Sequence, residues 1–370
     1  MSRRRLVRMA AAGVGAAAAA LGTGVVVERR VVRSRKAGAA EGDRLGGLRS
    51  DPVVVTTDDG LLLHAEVDEI APYAARTAAR TAARTADRSP AEATLVFVHG
   101  YALTMDCWHF QRLHYRGKRR TVFYDQRSHG RSQRSSRENA TIDHLGQDLA
   151  TVLGELAPDG PVVLVGHSMG GMSIMAFAED HPEEFGDRVV GTALISTTAG
   201  GLRPHRIISR LIPDRIGATF GPRLMAALAR APELVDSARR GGSNIGFLVT
   251  ERFAFGADVP GSYVELVDEM LAGTPFDVLA EFFPHFEAMD KYAVLHAFAS
   301  VPTTILCGTR DVLTSVDHSR KMAERIEGAR LVEATGAGHM VILEQADKVN
   351  RVLDELVAEA ERQHRRSHAS

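Results

Sequence analysis

The stretch that most constrains this chain is Val162-Val163-Leu164-Val165-Gly166-His167-Ser168-Met169-Gly170-Gly171. Four apolar residues, three of them β-branched, predict a short strand buried on both faces. The residues that follow spell G-x-S-x-G, and Met172 to Ala178 continue with helical spacing. A serine on a sharp turn between a buried strand and a helix has its hydroxyl pushed out of the fold. The helix N-terminus behind it favours developing negative charge. Glycines flank it because a Cβ at those positions would clash in so tight a turn. A Gly/Ser loop without chemistry is the plain alternative, and the strand before and helix after argue against it.

The rest of the chain repeats this strand-then-helix rhythm. Residues 51–68 read as a hairpin, with Asp58-Asp59-Gly60 as its turn. A buried strand is predicted at Thr94–Val98, and further strands at Thr121–Tyr124, Val189–Ser196, Thr303–Gly308 and Ala329–Glu333. A helix is predicted from Ile142 to Leu156, where apolar residues recur every three or four positions. Such alternation predicts an α/β fold with a mostly parallel sheet covered by helices, and an active site at the carboxyl ends of its strands.

Composition narrows the function classes. A chain of 370 residues with 45% hydrophobic content can bury a large core, and a formal net charge of −1 gives no reason to expect a nucleic-acid partner. Its two cysteines, Cys107 and Cys307, exclude a disulfide framework and a cysteine zinc site.

Two segments stand apart from this pattern. Arg3, Arg4, Arg5 and Arg8 precede an uncharged run over residues 9–27, and a basic stretch follows it. At about 1.5 Å per residue, a helix of that length spans roughly the hydrocarbon core of a bilayer. Three readings fit: a membrane anchor, a cleaved export signal with a twin-arginine flavour, or a tail lying on the surface. The anchor leads, so the expectation is a transmembrane helix over residues 9–27 within an N-terminal segment 1–50. The protein would then be membrane-anchored or exported rather than cytoplasmic. The second segment, Ala-Ala-Arg-Thr three times over within residues 74–85, is a low-complexity repeat that predicts an exposed insertion, helical or disordered.

The motifs His99-Gly100, Asp125-Gln126-Arg127-Ser128-His129-Gly130-Arg131-Ser132, Gly166-His167-Ser168-Met169-Gly170, Gly308-Thr309-Arg310-Asp311 and Gly338-His339 together resemble those of the α/β-hydrolases. They run in that family's order over roughly residues 51–360. One departure is Ser128, where many relatives have glycine in a structural loop. The resemblance implies an eight-stranded-type α/β-hydrolase sheet, with core residues 51–198 and 299–362. It also implies a helical cap over 199–298, where helical runs are predicted at Arg223–Ala229, Ser262–Leu271 and Val278–Met289. Phe247, Leu248, Phe253, Phe255, Phe282, Phe283 and Phe286 would pack that cap on the core or line an apolar acyl pocket.

Within the resemblance, each part of a catalytic triad has a position. Ser168 needs a base to become a useful nucleophile. Among 15 histidines, His339 follows the last strand in a glycine-rich loop, where an imidazole can reach over the sheet edge. Asp311, at the end of the Thr303–Gly308 strand, would hold the imidazole tautomer, although Val312-Leu313-Thr314 after it also fits a helix N-cap. The order Ser, Asp, His is that of the fold. Backbone N–H groups of Tyr101 and Met169 would form the oxyanion hole. His99, His129 and His167 read as bridging or packing residues.

The sequence thus points to a serine hydrolase of the carboxylesterase or lipase kind. Its partner would be a small-molecule hydrophobic ester, with no metal or cofactor implied. Rival enzymes are a cofactor-free perhydrolase of the non-haem haloperoxidase kind and a C–C bond hydrolase. A non-enzyme rival is a ligand-binding receptor on a hydrolase scaffold.

Overall fold

A computed structural model of the chain describes residues 45–70, 92–202 and 250–368. Elements are numbered within those residues. Valine-rich runs form the strands β1 (Pro52–Thr56), β2 (Leu62–Asp68), β3 (Thr94–Val98), β4 (Thr121–Tyr124), β5 (Val162–His167), β6 (Val189–Ile195), β7 (Thr303–Gly308) and β8 (Arg330–Ala334). They make one eight-stranded sheet in the order 1-2-4-3-5-6-7-8. The hairpin β1–β2 and the β2–β4 pair are antiparallel, and every pair from β4 through β8 is parallel. β3 to β7 are buried along their whole length, as strands covered on both faces must be.

The helices lie on the two faces of this sheet and divide the core in two. The helices α1 (His109–Tyr115), α2 (Ile142–Leu156) and α3 (Met169–Asp180) precede β6. Between β6 and β7 come α4 (Gly261–Gly273) and α5 (Phe276–Ala288), and the chain ends with α6 (Val316–Ala323), α7 (Val341–Glu344) and α8 (Ala346–Ser367). One apolar cluster joins Leu145, Leu149 and Val152 of α2 to Ile174 and Phe177 of α3 under Val96 and Leu164. A second, on the opposite face, joins Leu353, Leu356 and Val357 of α8 to Phe97, Val163 and Val165. Cys107 and Cys307 are buried free thiols.

The structure corrects the expected transmembrane helix, and with it the expectation of a membrane-anchored or exported protein. Among the described residues no helix is long and apolar enough to cross a membrane. The longest, α8, runs for 22 residues but alternates its apolar face with charged positions. Residues 9–27, on which that expectation rested, lie outside the described residues, and their run is mostly alanine and glycine, with few of the larger apolar side chains that drive insertion. The Ala-Ala-Arg-Thr repeat, the run Arg223–Ala229, and Phe247 and Leu248 also lie outside them. The runs at 262–271 and 278–289 correspond to α4 and α5, and Pro284 sits inside α5 without ending it.

Candidate active site

Parallel strands all end on the same edge of the sheet, so loops distant in sequence meet there. β5 ends at His167, and Ser168, between it and the first turn of α3, has φ 52° and ψ −117°. This left-handed conformation in a residue other than glycine is strained, and the surroundings hold it. The Ser168 N–H donates to the Ile195 carbonyl at 2.9 Å, and the Thr197 hydroxyl donates to the Ser168 carbonyl at 2.6 Å. Gly170 is obligatory, since a Cβ there would lie 2.0 Å from the Val98 carbonyl oxygen. The serine side is partly exposed, whereas Asp311 and His339 are buried at 5% and 6% exposure.

β7 delivers Asp311 and β8 delivers His339. The carboxylate can only accept, so the His339 Nδ1–H donates to Asp311 Oδ2 at 2.9 Å. Three further donors converge on the same carboxylate. The N–H groups of Leu313 and Thr314 donate to Oδ1 at 2.8 and 2.9 Å, and the Thr314 hydroxyl donates to Oδ2 at 2.8 Å. The cap geometry and the pairing with histidine therefore coexist on one side chain. Burial pushes the Asp311 carboxyl up, but His339 and the Thr314 donors outweigh it and hold it below the usual carboxylate range. With Nδ1 protonated, the Nε2 lone pair of His339 is left to take a proton. Ser168 Oγ makes no hydrogen bond among the described residues; such bonds commonly tighten only around a bound substrate.

Two buried histidines shape the walls. His167 sits beside Ser168 and donates Nε2–H to the main-chain carbonyl of His339 at 3.0 Å, tying the Ser168 turn to the loop that carries His339. His99 donates Nδ1–H to the Gly100 carbonyl at 2.7 Å and accepts the Gln126 N–H on Nε2 at 2.9 Å. That carbonyl belongs to the peptide whose N–H is Tyr101's, so His99 fixes the plane of one expected oxyanion donor and polarises it. Gln126 is held in turn by the Ser173 hydroxyl at 2.6 Å. Burial lowers His99 to about 4, and burial followed by His339 lowers His167 to about 3, so both are neutral and keep these fixed roles near pH 7. The second expected donor, the Met169 N–H, lies in the first turn of α3, where helix amides have no partner within the helix.

The space at Gly100 shows how close these loops come: a Cβ there would stand 3.1 Å from Ser168 Cβ. Above them, the Tyr101 hydroxyl donates to the Leu279 carbonyl of α5 at 2.5 Å, and its ring meets Phe286 edge-on at 4.8 Å. Phe282 and Phe286 belong to the first core cluster and Phe255 to the second. Below lies the Asp125–Ser132 loop, where buried Arg127 clasps Asp148 through two bonds of 2.6 Å. Ser128 adopts φ 65°, the reason glycine suits that position, and its hydroxyl accepts the Ser135 N–H at 2.9 Å.

Among the described residues, no group of three or more His, Cys, Asp or Glu side chains has an arrangement that could hold a metal ion. A cavity of about 350 Å³ lies between residues 45–49 and α4, lined by Arg49, Asp106 and Glu269 among others. None of its lining residues is Ser168, Asp311 or His339, and its walls are braced by the Arg49–Asp106 ion pair. It is a crevice of mixed polar and apolar lining apart from those three residues.

Residues 95–352 match the model of the alpha/beta hydrolase family. The chain belongs to that family. As an α/β-hydrolase it is similar to the proline iminopeptidase of Saccharolobus solfataricus, at 23% identity over 241 residues that span 64% of this chain and 75% of that protein. It is also similar to a bifunctional esterase/perhydrolase of Acinetobacter calcoaceticus, at 35% identity over 109 residues, 29% of this chain and 38% of that protein. Among solved structures, an esterase from Exiguobacterium antarcticum shares the fold with a TM-score of 0.63 at 16% identity, covering 83% of this chain and all (100%) of the other. Thr314 and Ser173 are site neighbours outside the family motifs, and Gln126 lies in the Asp125–Ser132 motif without a role assigned from sequence. The only signal for Thr314 was its place three residues after Asp311, and it was read as part of a helix cap.

Proposed function

We propose that this α/β-hydrolase is a serine carboxylic-ester hydrolase, of the carboxylesterase or lipase kind, acting on a hydrophobic ester. The observation that carries the reading is the buried 2.9 Å hydrogen bond from His339 Nδ1 to Asp311, on the sheet edge where the strained turn presents Ser168. In this reading, His339 Nε2 takes the Ser168 hydroxyl proton as Oγ adds to the ester carbonyl carbon. The oxyanion accepts from the Tyr101 and Met169 N–H groups. The imidazolium, stabilised by Asp311, returns the proton to the departing alcohol and leaves an acyl-enzyme. Water, deprotonated by the same Nε2, adds to the acyl carbon, and the acid leaves with Ser168 restored.

The aromatic residues on α5 support a substrate with an apolar part. A p-nitrophenyl ester series of increasing acyl length tests this, with turnover expected for the wild type. Ser168→Ala is expected to lower that turnover by at least about 10³-fold. A variant that keeps near-normal turnover overturns the assignment. Perhydrolysis is the second reading, favoured by the Acinetobacter relative that carries both activities in its name. Peroxide-dependent bromination in acetate, measured beside ester hydrolysis, separates the two.

A further inference from the structure

The loop that carries His339 is held from outside the site by one carboxylate. Glu344 ends α7, the short helix that follows the histidine. Its Oε1 accepts the Gly338 N–H at 2.7 Å, and its Oε2 accepts the Gly256 N–H at 3.0 Å. Gly256 lies in the chain between β6 and β7, just past residues 203–249. The same short segment makes two more ties. The Met340 N–H donates to the Ala254 carbonyl at 2.9 Å, and Arg310, beside Asp311, donates Nη1–H to the Gly256 carbonyl at 2.9 Å.

The two backbones touch. A Cβ on Gly256 would stand 2.4 Å from the Gly338 nitrogen, and one on Gly338 would stand 2.4 Å from the Gly256 nitrogen. Only glycine at both positions permits so close an approach, and the two carboxylate oxygens of Glu344 take one amide each. Phe255, between these contacts, is buried in the second core cluster, which anchors the segment.

We infer that Glu344 is a positioning residue for His339, clamping the histidine loop to residues 254–257 so that the base keeps its place over Ser168. The inference rests on the reading of His339 as the base. Glu344 touches no reacting atom; it acts through the Gly338 peptide that precedes the histidine. Burial pushes the Glu344 carboxyl up and the Gly256 and Gly338 amides pull it down; in its carboxylate form both bonds are charge-assisted and directional. Loss of them lets the loop drift, and an error of about 1 Å in a catalytic group can cost about 10²-fold. The same clamp transmits any displacement of the segment that contains Gly256 to the base.

The test compares Glu344→Gln with the wild type. Glutamine keeps the size but turns an NH₂ group toward one of the two amides, so half the clamp is lost. Three quantities are read: kcat and KM for a p-nitrophenyl ester, the rate at which a fluorophosphonate labels Ser168, and the melting temperature. For the folded variant, kcat and the labelling rate are expected to fall together by about 10- to 100-fold, with KM changed by less than about threefold. Gly256→Ala, which forces the same joint apart from the other side, is expected to do likewise. Variants that fold and retain kcat and labelling within about twofold of the wild type overturn the clamp. Hydrogen exchange on the wild type provides a check that needs no variant. The Gly256 and Gly338 amides are expected to exchange slowly and together, and rapid exchange of either overturns the clamp. A wild type that takes no label on Ser168 would instead sink the serine reading itself, which keeps the two failures distinct.

Discussion

Asp311 shows at the scale of single residues how one side chain can hold a loop and a histidine together. Its carboxylate collects two backbone amides, the Thr314 hydroxyl and the His339 imidazole. Asp311→Asn keeps the shape but presents an amide that no longer selects the Nδ1–H tautomer. Turnover is expected to fall by about 10³- to 10⁴-fold. Thr314→Val leaves the pair in place but removes one donor of 2.8 Å from the acid, so a smaller loss, of about tenfold, is expected. Esterase kinetics on the two variants check this ranking, and a threonine variant as impaired as the aspartate variant would contradict it. Ser168, Asp311 and His339 could be singled out because each follows a recognisable strand, buried throughout in β5 and β7 and half-exposed in β8. Thr314 was not: its contact with His339 joins residues 25 apart that no periodicity links. His167 was read as packing or positioning, yet its bond to the His339 carbonyl bridges 172 residues and became visible only in three dimensions.

At the scale of elements, the strands were the most legible part. Fully buried parallel strands need unbroken apolar runs, and β3, β4 and β7 begin and end where those runs do. The boundaries of β6 and β8 differ by one residue, within the fraying expected of element ends. How α5 is attached was not legible, since the ties come from distant loops. Arg134 pairs with Asp277 and Glu281 at the surface, where ion pairs contribute little. The Tyr101 hydroxyl, bonded to the Leu279 carbonyl, is the better-shielded tie. Tyr101→Phe retains the ring against Phe286 and the main-chain N–H while removing this bond, at a cost of about 0.5–1.5 kcal/mol. A modest drop in melting temperature is expected, with KM for long-chain esters changing more than kcat as α5 loosens over the site. An unchanged melting temperature would show that the bond contributes nothing.

The whole molecule carries an acid sensitivity that follows from its buried histidines. Burial lowers His99 to about 4, and burial with neighbouring histidines lowers His129 and His167 to about 3. In the unfolded chain each titrates near 6.5. Folding therefore favours the neutral form, and the stability this contributes is complete above about pH 6.5 and is lost as pH falls from there toward 3–4. Asp125 and Asp148, whose carboxyls burial pushes up, act in the opposite sense. The urea midpoint is expected to be flat between pH 7 and 8 and to fall below about pH 6.5, less steeply in His129→Asn, which has one fewer such group. A midpoint that holds or rises down to pH 4.5 would contradict this.

The central claim is that Ser168 is a nucleophile made reactive by His339 and Asp311. The most direct measurement is fluorophosphonate labelling of the folded protein, with the modified peptide located by mass spectrometry. One adduct on Ser168 in the wild type, greatly slowed in His339→Ala, is the result the account predicts. No adduct, or an adduct on Ser168 that forms equally fast without His339, would contradict it.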